Sequence, residues 1–106
     1  ESVAAAAVRE VQEELGVTIT EADLEPVCAI HRRQGERDGG QRVDFFFTVS
    51  RWEGEPEAKE TGRSGGVMWA SLHALPKPLV PVDAVALEML ASGGRKAIVH
   101  WGFDDL

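Results

Sequence analysis

Three glutamates crowd one short stretch of this chain, Glu10, Glu13 and Glu14, set in Arg9-Glu10-Val11-Gln12-Glu13-Glu14-Leu15-Gly16. On a helix their i, i+3, i+4 spacing places all three within about 100° of one another. Carboxylates gathered this way are the hard oxygen donors that a divalent cation such as Mg²⁺ seeks, and such an ion can neutralise phosphate oxygens and activate water. Without a partner the grouping is unfavourable. Like charges at this spacing repel. Glu13 and Glu14 fall in the last turn of the expected helix, where the macrodipole favours cations by roughly 0.3–1 kcal/mol per charge. Glu14 also projects beside Val3 and Ala7, at the edge of the apolar stripe, where lost hydration has to be replaced. A bound cation answers all three penalties, and Arg9, one turn before Glu13, is a further local partner. A solvated acidic face with Glu14 swung outward is the competing reading, and helical geometry alone does not decide between them.

The element that must position these groups is a helix over Ser2 to Leu15, rich in Ala, Glu and Val and closed by Gly16. Val3, Ala4, Ala7, Val8, Val11 and Leu15 form its expected core face. Beyond it, Thr18 to Asp23 reads as a turn and Val27 to Arg32 as a strand. The glycine-rich Gln34 to Gly40 reads as a hairpin loop that returns the chain antiparallel. Arg42 to Trp52, with Val43, Phe45, Phe46, Phe47 and Val49, is apolar enough to predict a central strand covered on both faces. Glu53 to Pro56 is a turn, residues 57–66 an irregular loop, and Val67 to Ala70 a short strand. Asp83 is the expected cap of a second helix over Ala84 to Ala91, with Gly93 and Gly94 ending it. A last strand covers Ala97 to Trp101. The order predicts an α/β layered domain with a mixed sheet, a single domain without internal repeat or linker.

Taken together, Glu1, seven residues, and Arg9-Glu10-Val11-Gln12-Glu13-Glu14-Leu15-Gly16-Val17 resemble the Nudix box: Gly, five residues, Glu, seven residues, Arg-Glu, an aliphatic, any residue, Glu-Glu, any residue, Gly, an aliphatic. Every box position present matches. The opening Gly, the five residues after it and the family's preceding strands are missing, so the chain is expected to start inside the box. Arg51-Trp52-Glu53-Gly54-Glu55-Pro56, Lys59-Glu60 and Met68-Trp69 are similar to the MutT branch, the nucleoside triphosphate pyrophosphohydrolases. The resemblance spans roughly Glu1 to Leu90. It implies a Nudix-type α/β/α sandwich with a mixed sheet. It also implies that Glu10 and Glu14 ligate Mg²⁺ or Mn²⁺, with Glu13 joining directly or through water. Arg9 would orient a box carboxylate and Glu1 would brace the box helix. Glu60 matches a loop glutamate that approaches the metal in that branch, with Glu53, Glu55 and Glu57 as competing choices. Glu13 or Glu60 is then the candidate base for hydrolysis of a nucleoside diphosphate-linked substrate.

The substrate implied by the MutT resemblance is a nucleoside triphosphate, but the Asn by which that branch reads guanine has no counterpart in Pro78-Leu79-Val80-Pro81. The Tyr of dinucleoside polyphosphate hydrolases is also absent, since the chain has no Tyr. ADP-ribose or nucleotide-sugar pyrophosphatase, and a non-catalytic Nudix-fold nucleotide-binding module, remain as alternatives. His31-Arg32-Arg33 either contacts phosphates or ends a solvated hairpin. Phe45, Phe46 and Phe47 offer a stacking face, though core is the first reading for at least two of them, as it is for Trp52 and Trp69. His100 and Trp101 carry no argument beyond packing.

Bulk properties narrow the partners. With 106 residues, 43% of them apolar, the chain suffices for one core. A net charge of -7 argues against duplex DNA or RNA, whose phosphates need clustered Lys and Arg. Cys28 is the only cysteine, which excludes an intrachain disulfide and a cysteine zinc site and suits a reducing cytoplasm. No run reaches the roughly 20 apolar residues of a membrane span. A homodimer is compatible with all of this.

Overall fold

A computed structural model describes residues 1–33, 40–57, 68–77, 79–94 and 98–103. The chain divides into two compact units, Glu1–Glu25 with Thr48–Trp69, and Pro26–Phe47 with Ala70–Leu106.

In the first unit, helix α1 spans Val3–Leu15. Ser2 caps its start, its hydroxyl accepting from the Ala5 amide at 3.1 Å, which satisfies one of the orphan donors of the first turn. Gly16 ends it in the left-handed conformation at φ 73°, its amide donating to the Gln12 carbonyl, a geometry costly for any residue with a Cβ. The expected core face of α1 is only half covered. No residue of the helix is buried, and Val3 is exposed. Burial in this unit instead falls on Val17 and Ile19, just past the helix. The expected turn that follows contains a 3-10 turn, Glu21–Asp23, pinned by Asp23, whose carboxylate accepts from the Thr20 amide at 2.8 Å and the Thr20 hydroxyl at 3.0 Å. These bonds, that of the amide first, hold the Asp23 carboxyl below its usual range.

The segment after Thr48 docks on the end of α1. Thr18 and Glu53 exchange both backbone hydrogen bonds, at 2.9 and 3.0 Å, and the Glu57 amide donates to the Leu15 carbonyl at 3.0 Å. Gly54, at φ 99°, lets the turn approach closely, since a Cβ there would stand 3.3 Å from the Gly16 carbonyl oxygen. The strand expected to continue to Trp52 stops at Thr48, and beyond it Glu53 pairs with Thr18 in an isolated bridge. Met68, Trp69 and Ala70, expected as strand, have no regular structure, and Val67 lies outside the described residues.

The second unit carries β1 (Glu25–Arg33), β2 (Gln41–Thr48), α2 (Pro81–Ala91) and β3 (Ile98–Trp101). The strand order is β2-β1-β3, with β1 and β3 parallel in the register Ala29↔Ile98 to Arg32↔Trp101. Parallel neighbours need a crossover, and α2 lies within it in the chain. Val27, Cys28 and Ile30 of β1 pack with Val82 and Ala86 of α2, joined by Phe46, Met89, Leu90, Val99 and Trp101. Cys28 is the buried small hydrophobe its apolar setting predicts, and burial pushes its thiol upward.

Two expectations for this unit are corrected. The central strand is β1, and β2 lies at the edge among the described residues. Its run of phenylalanines alternates, Phe46 packing on the core while Val43 and Phe45 are exposed, so the run is amphipathic by position despite its composition. The second helix starts at Pro81, not after an Asp83 cap. Proline lacks the amide that the first helical position would leave unpaired, and Asp83 falls in the first turn, where the dipole favours an acid. The expected hairpin loop lies outside the described residues except for Gly40, at φ 72°.

Candidate active site

The acidic end of α1 is organised around Arg9. Its Nε donates to both carboxylate oxygens of Glu1, at 3.0 and 3.2 Å, and its Nη2 donates to Glu1 Oε1 as well. Nη1 donates to Glu13 Oε2 at 3.1 Å, one turn along, and Nη2 stands 3.8 Å from Glu10 Oε1. The hydrogen bond from Arg9 depresses the Glu1 carboxyl, and in return Glu1 raises the guanidinium. All these side chains are about half exposed. Water screens exposed pairs, so this network does little for stability; what it does is hold Glu1 and Glu13 in fixed directions along the helix.

Glu14 makes no hydrogen bond or ion pair among the described residues, and its side chain is exposed rather than pressed against the apolar stripe. Glu10 touches only the edge of the Arg9 network. The donors available for a cation are thus all carboxylate oxygens on consecutive turns, the chemistry that suits a hard divalent ion. Among the described residues no three acidic, histidine or cysteine side chains converge as a ready-made metal cage. The carboxylates of Glu10, Glu13 and Glu14 are exposed along the helix. Glu60 lies outside the described residues, while Glu53 is engaged through its backbone with Thr18.

The remaining sequence candidates disperse. Arg32 Nε lies 2.7 Å from Asp44 Oδ2, both atoms shut off from solvent and joined by charge rather than by an aligned hydrogen bond. His31 Nε2 lies 2.8 Å from Gln41 Oε1, and its ring meets those of His100 and Phe103 at 5.8 and 4.8 Å between centroids. These contacts tie β1 to its neighbours. Trp52 and Trp69 depart from the core reading: they stack on each other at the surface of the first unit, beside an apolar cavity of about 390 Å³. Their composition suggested burial, and nothing local signalled the stack, which depends on residues 17 positions apart meeting.

What these elements define is an α/β protein with a capped helix that carries an arginine-ordered row of glutamates beside a docked Trp-Glu-Gly-Glu-Pro turn. Comparison with known proteins places it further. The NUDIX domain family matches residues 1–90, and the chain belongs to that family. A solved structure described as a MutT NUDIX hydrolase from Burkholderia pseudomallei superimposes with a TM-score of 0.70 at 29% identity, over 83% of this chain and 66% of that one. The chain therefore spans about two thirds of the length of that relative. A search of curated proteins finds no match.

Proposed function

We propose that this domain is the catalytic part of a Mg²⁺- or Mn²⁺-dependent hydrolase. It would cleave a phosphoanhydride of a nucleoside diphosphate-linked substrate, and a nucleoside triphosphate in particular, to the monophosphate and pyrophosphate. Water attacks one phosphorus, the anhydride P–O bond breaks, and the pyrophosphate leaves with the bridging oxygen. The observation that carries this reading is the Arg9 clasp: it engages Glu1, just ahead of α1, and Glu13, in its last turn, and leaves Glu14 without a partner among the described residues, which supports different roles for these acids.

A divalent cation, when bound, supplies charge neutralisation at the phosphates and lowers the pKa of attacking water. Glu10 and Glu14 are the residues to hold it, with Glu13 contributing directly or through water. Arg9 keeps Glu13 oriented, and Glu1 anchors Arg9 from the other side. Glu13, or Glu60 of the following loop, takes the proton of the attacking water. Support comes from family membership, from the MutT hydrolase likeness and from the all-oxygen donor set.

The test is a phosphate-release screen of the protein with Mg²⁺ over nucleoside triphosphates, ADP-ribose, nucleotide sugars and dinucleoside polyphosphates. Turnover is expected on triphosphates, with pyrophosphate as a product. No metal-dependent release from any of the four classes would reject the hydrolase reading.

A further inference from the structure

Glu13 and Glu14 stand in the last turn of α1, where the closing carbonyls have no helical partner and no basic residue offsets the negative end of the dipole. Helix ends fray unless something outside the helix holds them. Here the hold comes from the segment after β2. The Leu15 carbonyl accepts from the Glu57 amide at 3.0 Å. Thr18, two residues past the Gly16 cap, exchanges both backbone hydrogen bonds with Glu53, and its hydroxyl donates to Gln12 Oε1 at 2.9 Å. The Gln12 carbonyl in turn accepts from the Gly16 amide at 3.0 Å. Gly54 lies against the same corner: a Cβ there would stand 3.3 Å from the Gly16 carbonyl oxygen and 3.8 Å from Val17 Cα.

Glu13 and Glu14 are thus bracketed in the chain by Gln12 and Leu15, both fastened from beyond the helix. The fastening uses backbone groups and the Gln12 amide, and no carboxylate. Thr18 and Gln12 are exposed, so their side-chain bond adds little stability, and its effect is on geometry. Geometry is what a ligand set needs. Binding groups have to stand within about 0.5 Å and 10–20° of the working arrangement. Each helical residue turns the chain by about 100°, so loosening even part of the last turn exceeds that tolerance.

We infer that Gln12, Thr18 and Gly54 are positioning residues: they clamp segment 53–57 onto the end of α1 and so fix the direction in which Glu13 and Glu14 present their carboxylates to a divalent cation. The inference rests on the reading of these glutamates as cation ligands and adds to it the residues that hold them in place. Its test uses the full chain with Mn²⁺ as the probe. Gly54→Ala, strained at φ 99° and crowded against Gly16, should weaken calorimetric Mn²⁺ binding about tenfold, on the scale of residues that orient ligands. Thr18→Val keeps the shape and the backbone pairing but loses the hydroxyl. It should weaken Mn²⁺ binding about fivefold, the scale of one hydrogen bond, and Thr18→Ser should recover most of that. In the metal-free variants, amides of the last turn of α1 should exchange hydrogen faster while those of β1 do not. In turnover, the Mn²⁺ concentration for half-maximal rate should rise by the same factors, with the nucleotide KM at saturating Mn²⁺ little changed. Ile30→Val, in the β1–α2 core, lowers the urea midpoint without touching the clamp, and its Mn²⁺ affinity should stay native. Affinity that simply follows the urea midpoint in every variant, or stays unchanged in folded Gly54→Ala and Thr18→Val, overturns the clamp. A native protein that binds no Mn²⁺ overturns it as well. Clamp-dependent Mn²⁺ binding without hydrolysis of any substrate would retain the clamp and reject the hydrolase, whereas hydrolysis whose Mn²⁺ requirement ignores both variants would do the reverse.

Discussion

Arg9 reaches three of the four glutamates at box positions, Glu1, Glu10 and Glu13, and leaves Glu14 aside. Two consequences belong at this scale. Glu14→Gln keeps the size and the helix but removes the charge. It should abolish most turnover in the phosphate-release assay while the circular dichroism spectrum stays as it was; full activity would remove Glu14 from the site. Arg9→Met removes the clasp that aims Glu13. Residues that orient ligating carboxylates typically alter metal affinity or activity about 10–100-fold, and a loss of that size is expected in calorimetric Mn²⁺ titration, with thermal stability little changed because the network is exposed. An unaltered Mn²⁺ affinity would mean the clasp has no positioning role.

Caps and tight approaches fix the ends of the elements, and the tests at this scale fall there. Gly16 ends α1 at φ 73°, so Gly16→Ala should cost about 1 kcal/mol, read as a lower midpoint in urea denaturation. Gly102, at φ 85°, abuts the strand partner of β3: an added Cβ would collide with the Arg33 carbonyl, so Gly102→Ala should be the more damaging of the two. The 3-10 turn adds a pH dependence. Because the Thr20 bonds lower the Asp23 carboxyl, its contribution is present in full above the ordinary carboxylate range and fades as pH falls through the depressed value. Asp23→Asn should therefore melt below the native protein at neutral pH, and the gap should close in acid. A gap independent of pH would show that the ionised carboxylate is not what holds the turn.

For the molecule as a whole, stability concentrates in the β1–α2 core, where Ile30 has no exposed surface. Ile30→Ala should cost about 2–5 kcal/mol, a large share of the roughly 5–15 kcal/mol typical of a domain, and is read by urea denaturation. None of the described helices is long and apolar enough to cross a membrane.

The local grammar of the chain was enough to locate α1, with its Ser2 and Gly16 ends, the strands around Val27 to Arg32 and near the end of the chain, and the row Arg9, Glu10, Glu13, Glu14 with its box pattern. Capping, periodicity and i, i+4 spacing act over a few residues, so short stretches carry them whole. Tertiary structure alone decided that β1 and not β2 is central, that Pro81 starts α2, that Trp52 meets Trp69 at the surface, and that Arg9 selects Glu1 and Glu13 among its acidic neighbours. Those outcomes depend on which distant surfaces compete for the same apolar face or the same guanidinium, a competition that no window of neighbouring residues contains.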